Sequence, residues 1–481
     1  LFDRYILTAT LRRDGSSNFS SGNRWGTFPS VALAWRAKEE TFLKNVKEIS
    51  NAKVRFGWGQ TGNAGGIAGR SVYALSSAHT KYNFYALGAG GGTTGQLTQE
   101  TGFYAPLVDT NLKWETNEQL NIGLDLGFLD GDLNVSMDFF TRKTKDLLLE
   151  RQIRPSAGNT SIYTNFGQIN NTGFEFSINY NKQINKDWSI NAALNGSTLK
   201  NKIKKMGVDY TATCTGGNST YSADDIDGSN IGAVSGTGFQ WNNHSICREG
   251  EAVGSYYGYK VAGIITNQEM LDKAKAQGQD AQMGDFLFVD TDKNGTLDDG
   301  DRQIIGNGLP TMNFGLNLGA TYKNWDFSIY SYGVLGMDIL SYSKMRLSIM
   351  NPSDDSWTPA LLKDSYKKMY NSETNPGGTL PRLTRLDNNK NSRISDAWVE
   401  NGNFLKISNI QIGYTVPRKW LEPLSLTSVR AYFSIQNLCT ISPYTKYGDP
   451  EVGQGSVIYT GLDSGRYANP RTYMFGLNVT F

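Results

Sequence analysis

The pattern that most constrains the fold of this chain is an alternation of apolar and polar residues with a period of two. Along the last nine residues, one face of an extended chain carries Tyr473, Phe475, Leu477, Val479 and Phe481. Because successive side chains of a β-strand point to opposite faces, this period predicts strands with one apolar and one polar face. The same pattern recurs at residues 5–11, 54–58, 120–128, 133–139, 174–180, 188–194, 314–322, 325–329, 405–407, 410–414 and 429–435.

The connections between these segments differ greatly in length. Three are very short, at 129–132, 184–187 and 322–325. The long ones are polar and glycine-rich and cover about 64–112, 147–169, 200–310, 339–397 and 441–467. Short turns at one end and long loops at the other are typical of an outer-membrane β-barrel, whose short turns are periplasmic. Counting hairpins gives about a dozen strands, which predicts a periplasmic C-terminus and an extracellular 200–310. One short connection, 39–48, is predicted to contain a helix.

A water-soluble β-sandwich or β-propeller also has alternating strands and is the competing interpretation. Aromatic residues near the strand ends favour the membrane barrel, because Trp and Tyr form belts at both interfaces of a bilayer. These residues are Trp25, Phe28, Tyr104, Trp114, Trp188, Trp325, Trp398 and Tyr414. The sequence contains no window of about 18 consecutive apolar residues, so no transmembrane helix is predicted. We therefore predict an all-β chain in a transmembrane antiparallel β-barrel with long extracellular loops.

Composition argues against several classes of function. The 47 Lys and Arg balance 45 Asp and Glu without clustering on one segment, so nucleic acid is not an expected partner. Two histidines, His79 and His244, and the lack of GxSxG, Walker A and HExxH motifs argue against an enzyme. The three cysteines form no CxxC pair. Cys214 and Cys247 lie in one predicted loop, where a disulfide and two free thiols both remain open.

The segment 290–301 has the spacing of an EF-hand calcium loop. Its sequence, DTDKNGTLDDGD, has oxygen-bearing side chains at positions 1, 3, 5, 7, 9 and 12 and glycine at position 6. The predicted ligands are the side chains of Asp290, Asp292, Asn294, Asp298 and Asp301 and the backbone carbonyl of Thr296. An all-oxygen site suits Ca²⁺, with Mg²⁺ as the alternative ion. The competing interpretation is a solvated Asp/Asn/Gly turn without metal.

Two features favour a structural role for this metal over a signalling role. Asp301 stands where sensor EF-hands have a bidentate Glu, and its shorter side chain reaches less easily around an ion. Only one short helix is predicted beside the loop, over Asn267–Gln277 and stopped by Gly278, whereas a sensor needs a pair. We expect the ion to fold an extracellular loop.

Blocks along the whole chain strongly resemble the SusC/RagA-type TonB-dependent transporters of Bacteroidetes. They include RYILTATLRRDGSSNFSSGNRWGTFPSVALAWR at 4–36, NLKWETNEQLNIGLDLGFLDGDLNVSMDFFTRKTKDLLL at 111–149, GDFLFVDTDKNGTLDDGDRQIIGNGLPTMNFGLNL at 284–318 and NPRTYMFGLNVTF at 469–481. Transporters of this class have barrels of about 22 strands around a plugged lumen. The resemblance implies that 1–481 supplies the C-terminal portion of such a barrel. The plug and the first strands are then expected elsewhere, on a separate chain or in further sequence of the same gene product.

The resemblance also implies a function and its partners. It implies active import of oligosaccharides or peptides through the outer membrane, with a SusD-like surface lipoprotein as a lid and a TonB complex that acts through the plug. A passive porin or a structural or adhesion barrel is the alternative function. A secreted calcium-dependent lectin or hydrolase of β-sandwich type is the third.

Two further features are candidate sites. Phe481 ends an alternating strand, which resembles the terminal signal by which the barrel-assembly machinery recognises its clients. Several predicted loops are rich in aromatic and amide side chains, which we interpret as loop packing or lid contacts in preference to substrate ligands. They are Tyr73, Tyr82, Phe84, Tyr85, Phe239, Trp241, Asn242, Asn243, Tyr444 and Tyr447. The sequence assigns no substrate-binding residue.

Overall fold

The computed structural model describes residues 3–65, 77–78, 103–104, 109–152, 161–205, 244–349, 365, 367–384, 386–424, 426–453 and 460–481. Its strands are β1 (Tyr5–Gly15), β2 (Trp25–Trp35), β3 (Ile49–Asn63), β4 (Ser77–Ala78), β5 (Phe103–Tyr104), β6 (Glu115–Phe128), β7 (Leu133–Lys145), β8 (Leu148–Gln152), β9 (Ser161–Asn165), β10 (Gln168–Gln183), β11 (Trp188–Lys205), β12 (Ser245–Ile246), β13 (Ser255–Gly258), β14 (Val261–Ile264), β15 (Phe286–Phe288), β16 (Gln303–Asn307), β17 (Met312–Tyr322), β18 (Trp325–Leu335), β19 (Asp338–Ser341), β20 (Val399–Asn401), β21 (Phe404–Thr415), β22 (Ser428–Ile441), β23 (Leu462–Asp463) and β24 (Thr472–Thr480).

Twelve long strands form one antiparallel sheet in the order β1-β2-β3-β6-β7-β10-β11-β17-β18-β21-β22-β24. Each of these strands therefore pairs with the long strands before and after it in sequence, which is an up-and-down meander. This agrees with the predicted dozen strands. Within the described residues β1 and β24 are the two edges of the sheet.

One face of this sheet is apolar and exposed. Leu33, Phe56, Ile122 and Phe139 project from four different strands and are 46%, 40%, 48% and 46% exposed. Burying apolar area is the main favourable term in folding, so a large sheet that leaves this face uncovered requires an apolar surrounding. That is the property expected of a lipid-facing wall.

An aromatic row marks the short-turn end of the apolar face. Trp188, Tyr322, Trp325 and Tyr414 are register partners on four neighbouring strands. The rings of Trp188 and Tyr322 are 4.5 Å apart, and those of Trp325 and Tyr414 are 4.8 Å apart. Such a row has the pattern of the interfacial aromatic girdle that was predicted for Trp188, Trp325 and Tyr414.

The helices are short and lie outside the sheet. They are α1 (Thr41–Lys44), α2 (Gln268–Ala276), α3 (Tyr342–Ser348) and α4 (Arg418–Leu421), with 3-10 turns at Ala37–Glu39, Leu129–Gly131, Asp299–Asp301, Asp396–Trp398, Glu422–Leu424 and Pro443–Lys446. The helix predicted over 39–48 is thus only one turn, α1, preceded by a 3-10 turn. Among the described residues, no helix has the length and apolar character needed to cross a membrane.

The described parts of three long connections, those at about 200–310, 339–397 and 441–467, fold together into a compact unit with its own core, which we call the loop cap. Its small sheets are β12-β13-β16, β14-β15 and β20-β19-β23. Its core consists of Tyr256, Phe286, Phe288, Leu340, Tyr342, Met345, Ile349, Met369, Leu380, Ile394, Trp398 and Leu462. The Tyr256 hydroxyl donates to the carbonyl oxygens of Asp338 and Thr460, at 3.1 and 2.9 Å, and so joins three connections that are far apart in sequence.

Four sequence expectations need correction. Trp398 is not an interfacial residue: it is fully buried in the loop cap, where its ring packs 5.7 Å from that of Phe286. Phe28 is also buried, against Trp114. The alternating segments predicted from the sequence did not include β2, which contains Pro29. The strand tolerates this proline because the ladder between β2 and β3 begins only at the next residue. Finally, 405–407 and 410–414 form the single strand β21, and a register shift between Ile407 and Asn409 causes the change of phase.

Candidate metal centre and polar wall

The predicted metal loop connects β15 to β16 within the loop cap. Gly295, at its sixth position, has φ of +89°, a left-handed conformation that favours glycine and gives the sharp bend. The backbone N–H of Leu297 donates to the carbonyl of Gln277, at 2.8 Å, and the Leu297 side chain packs against the cap core. Tyr259 also holds the loop, since its hydroxyl donates to Asp299 Oδ1 at 2.9 Å. The cap therefore fixes the loop on both sides.

Three carboxylates of the loop converge. Asp290, Asp292 and Asp301 each offer an oxygen within 4.8 Å of the other two. Asp301 is fully buried, and its oxygens accept backbone N–H groups from Thr291 at 2.5 Å and from Asp298 at 2.9 Å. These bonds hold the carboxylate at the twelfth position in place and leave acceptor capacity on both of its oxygens.

The remaining predicted ligands surround this group less uniformly. Asn294 Nδ2 donates to Asp292 Oδ2 at 3.1 Å and to Asp298 Oδ2 at 3.0 Å, so positions 3, 5 and 9 are adjacent. The N–H and hydroxyl of Thr296 both donate to Asn294 Oδ1 at 2.8 Å. Asp298 Oδ1 accepts the N–H of Gly300 at 2.7 Å and begins the following 3-10 turn. All six predicted positions thus belong to one loop whose polar groups face one another.

The residues present fit a bound cation. Asp290 Oδ1 is buried and has no hydrogen-bond partner. Among the described residues, no Lys or Arg forms a salt bridge with Asp290, Asp292 or Asp301. A buried polar atom without a partner and three neighbouring carboxylates without a cationic side chain are both costly arrangements. A hard cation with oxygen ligands removes both costs.

The helix predicted beside the loop is α2. Asn267 caps it by accepting the N–H of Met270 at 2.9 Å, and Gly278, with φ of +74°, follows its C-terminal end. The chain leaves the metal loop through a 3-10 turn and the strand β16. This is not the helix–loop–helix pair that a calcium sensor opens, so the local fold favours a structural role.

The face of the sheet opposite the apolar face is polar, and we call it the polar wall. It contains two hollows, of about 790 and about 670 Å³. The first is lined by hydroxyl, amide and guanidinium groups from Thr8, Thr10, Ser30, Gln119, Asn121 and Arg142. The second adds carboxylates and aromatic rings and is lined by Asp138, Glu175, Asn195, Asn313, Tyr330 and Tyr332. None of these residues was predicted as a site, although the polar half of each alternating segment was the available signal.

The predicted aromatic loop residues divide into two groups. Tyr444 is fully buried, donates its hydroxyl to Asp463 and accepts that of Ser341 at 2.7 Å, and its ring packs 5.7 Å from that of Tyr447. This confirms loop packing for Tyr444. The other eight lie outside the described residues, as do Cys214 and His79. Cys247 is disulfide-bonded, whereas Cys439 is a free thiol.

Known proteins resemble this chain along its whole length. The family model described as TonB dependent receptor-like, beta-barrel, matches residues 1–278. TonB-dependent receptor P3 of Formosa agariphila is 34% identical over 99% of the chain and 44% of its own length. TonB-dependent receptor SusC of Bacteroides thetaiotaomicron is 31% identical over 100% of the chain and 42% of its own length. The chain therefore spans less than half the length of these relatives.

Solved structures show the same fold. The RagAB peptide transporter aligns with a TM-score of 0.70 and 21% identity, over 99% of this chain and 46% of that chain. The RagAB peptide importer in its open-open state aligns with a TM-score of 0.73 and 20% identity, over 99% of this chain and 45% of that chain. At these identities the likeness concerns the fold alone.

Proposed function

Because the chain belongs to the TonB-dependent receptor family, in its SusC/RagA branch, we propose that it forms the wall and loop cap of an outer-membrane importer for oligosaccharides or peptides. Members of this family are outer-membrane transporters and not enzymes. The observation that carries the proposal is the division of the sheet into an exposed apolar face and a polar wall with hollows. A barrel wall of this kind satisfies backbone hydrogen bonds within lipid and leaves a polar path inside.

We propose that the short turns face the periplasm and the loop cap faces the cell exterior. The aromatic row Trp188–Tyr322–Trp325–Tyr414 lies at the short-turn end, as an interfacial belt does. The last strand, β24, runs toward that same end, so the C-terminus is assigned to the periplasm. Both assignments follow the usual arrangement of short periplasmic turns and long extracellular loops.

The proposed importer needs parts beyond the described sheet. The unpaired edges β1 and β24 carry exposed apolar side chains, among them Leu7 at 67% and Phe475 at 83% exposure. Open edges do not persist within lipid, so we assign the neighbouring strands, and a plug that contacts the TonB complex, to another part of the protein or another chain. The relatives extend well beyond the region they share with this chain, which supports this assignment.

The loop cap is the proposed contact surface for a SusD-like lipoprotein that acts as a lid. Its continuous core makes a rigid platform from connections that would separately be flexible, and it stands at the long-loop end of the polar wall. Two similar proteins support this contact. SusC is a relative in sequence, and the RagAB transporter, whose name denotes two components, is similar at the level of fold. Substrate then passes from the lid to the polar groups inside.

Within the cap we propose that Asp290, Asp292, Asn294, Thr296, Asp298 and Asp301 hold Ca²⁺, with Mg²⁺ as the weaker candidate. The ion supplies positive charge that the described side chains around the three carboxylates do not provide. Its role is to keep the loop folded against Tyr259 and the cap core. No step of transport passes through the ion.

An uptake assay tests the proposed function. The full-length gene is deleted and restored in its native host, and cells are supplied with a polysaccharide hydrolysate or with a tryptic peptide digest. We expect the restored strain to deplete components of one of the two mixtures from the medium, measured by mass spectrometry, and to stop when the TonB complex is inactivated.

The same assay separates the alternatives. Uptake that continues without the TonB complex indicates a passive porin. Unchanged uptake of both mixtures in the deletion strain, together with lost surface attachment, indicates an adhesion barrel. Either result overturns the proposal of active import.

A further inference from the structure

A lysine patch lies on the apolar face of the sheet, beyond the aromatic residues of its upper part. Phe139, Phe174 and Thr198 are register partners on β7, β10 and β11. Two residues further toward the long loops, the partners are Thr141, Thr172 and Lys200, and two residues beyond those they are Lys143, Asn170 and Lys202. Because side chains two residues apart share a face, Lys143, Lys200 and Lys202 point to the same side as the exposed ring of Phe174. We call these three residues the lysine patch.

The height of the patch places it at the edge of a lipid bilayer. Lys200 stands twelve residues beyond Trp188, which belongs to the aromatic row at the other end. At about 3.4 Å per residue this is about 40 Å along the strand, or about 30 Å across the membrane for a tilt of about 40°. An outward apolar band is about 25 Å tall. The lysines therefore lie just above the hydrocarbon, at the level of lipid head groups.

The charges of the patch are poorly compensated by the protein. In the described part of the chain, neither Lys200 nor Lys202 forms a salt bridge. The strand between the two lysine-bearing strands contributes only the uncharged Asn170 and Thr172 to this face. Glu118, a carboxylate on the same face, is the register partner of Lys143, but its ion pair at 2.5 Å is with Lys145. The patch thus keeps an excess of positive charge.

We propose that the lysine patch binds a phosphate group of a glycolipid in the outer leaflet of the membrane. The inference rests on the orientation given under Proposed function, which puts the long-loop end outside. Neighbouring strands are about 4.8 Å apart, so Lys143 and Lys202, which stand at the same level on either side of β10, are about 10 Å apart. Lys200 stands two residues, or about 7 Å, closer to the short turns on the same strand as Lys202. Three flexible ammonium groups at that spacing can surround one phosphate. The position on the lipid-facing side selects a lipid over a soluble anion, because the acyl chains then lie along Phe139 and Phe174.

The test uses the full-length transporter in detergent and bis-phosphorylated lipid A as the probe, with binding followed by native mass spectrometry. Charge removal in the double variant Lys200→Gln/Lys202→Gln is expected to weaken lipid A binding at least about tenfold, since each lysine near an anionic lipid adds several-fold in affinity. The double variant Lys200→Arg/Lys202→Arg retains the charges and is expected to bind like the parent. Enzymatically dephosphorylated lipid A is expected to bind the parent as weakly as it binds the Gln variant.

A matched control removes a lysine from the opposite end of the same wall. Lys182 also lies on the outward face of β10 but near the short turns, where it pairs with Asp132, so Lys182→Gln should leave lipid A binding unchanged. Equal binding by the parent and the Gln double variant, or an equal loss in Lys182→Gln, overturns the inference. A surface-accessibility assay on an epitope in the loop cap separates this failure from that of the proposed function. If the epitope is reachable only from the periplasm, the proposed orientation is wrong as well.

Discussion

Arg55 on β3 and Asp138 on β7 form an ion pair across the strand that lies between them. Arg55 Nη2 is 2.8 Å from Asp138 Oδ2, and Arg55 Nε is 2.8 Å from Asp125 Oδ2 on the intervening β6. The pair crosses β6 over Gly123, where a Cβ atom would stand 2.6 Å from Arg55 Cζ. Arg430 and Asp326 repeat this arrangement over Gly413 near the last strands. Glycine on the middle strand therefore lets charged groups of the polar wall join three strands.

The first prediction concerns Gly123→Ala. The added Cβ displaces the Arg55 guanidinium and breaks its contact with Asp138, so we expect the full-length barrel to lose about 1–3 kcal/mol. The loss is measured as a fall in the heating temperature at which the folded band of the barrel converts to the unfolded band on a gel. Gly57→Ala is the matched control, because Gly57 is on the neighbouring strand β3 and no atom lies within 4 Å of the place that a Cβ would occupy. Equal shifts in both variants would contradict the role assigned to the ion pair.

The second prediction concerns the metal loop. In Asp290→Asn/Asp292→Asn two of the three converging carboxylates lose their charge, so we expect Ca²⁺ to protect the loop from proteolysis in the parent only. At a free concentration of about 100 times its Kd, a bound ion stabilises the folded loop by about 2.7 kcal/mol. The variant should also retain less of its lid lipoprotein during purification.

The control for the metal loop is Asp272→Asn, which removes an exposed carboxylate on α2 and should leave Ca²⁺ protection unchanged. The sheet makes no use of the ion, so the Asn double variant is expected to insert into the membrane at the normal level. Failure of this variant to insert would show that the loop is needed for barrel assembly, contrary to the proposed role.

The strands were predictable because a period of two is a local property of the sequence. The twelve-stranded meander, the short turns and helix α2 all follow from patterns spanning fewer than about twenty residues. The metal loop is a similar case, since its residue spacing alone predicted that Asp290 and Asp301 lie close together. The burial of Asp301 and the unpartnered Asp290 Oδ1 depend on packing against the cap and were not readable from spacing.

The loop cap was not predictable for the opposite reason. Its contacts join residues far apart in sequence, such as Tyr256 with Thr460, and no local pattern encodes that pairing. Trp398 illustrates the consequence: its position near a predicted strand end suggested an interface, but the cap buries it. The lysine patch lies between these cases, since Lys200 and Lys202 continue an alternation visible in the sequence, whereas their proximity to Lys143 requires the register of three strands.

The third prediction is that acid loosens the cap through Glu400. Burial opposes ionisation of this carboxyl, but Lys344 at 2.7 Å and Lys446 at 3.3 Å outweigh it and lower the pKa of Glu400. Because the pKa is lowered by folding, ionised Glu400 stabilises the folded cap fully at a pH above the usual Glu pKa of about 4.3. This stabilisation is lost as the pH falls through the pKa that Glu400 has in the folded cap. We expect the cap to become protease-sensitive below about pH 4.

Glu400→Gln tests this source of acid sensitivity. The variant lacks the charge at every pH, so it should be less stable than the parent at neutral pH and should lose less on acidification. Glu422→Gln is the control, because its pair with Arg418 is exposed. A parent and a Glu400→Gln variant with the same pH dependence would exclude Glu400 as the group responsible.

The last prediction tests whether the cap acts as one unit in holding the lid. A Cβ atom on Gly308 would stand 1.8 Å from the carbonyl oxygen of Thr460 and 2.6 Å from the Tyr256 hydroxyl, so Gly308→Ala forces two connections apart at a backbone contact. We expect this to destabilise the cap by about 3 kcal/mol and to reduce co-purification of the lid lipoprotein. Gly377→Ala, at an open position of the same cap, is the control. Because the sheet does not use this contact, the heat-modified gel shift should stay at its normal temperature, and a fall in that temperature would mean that cap and barrel unfold together.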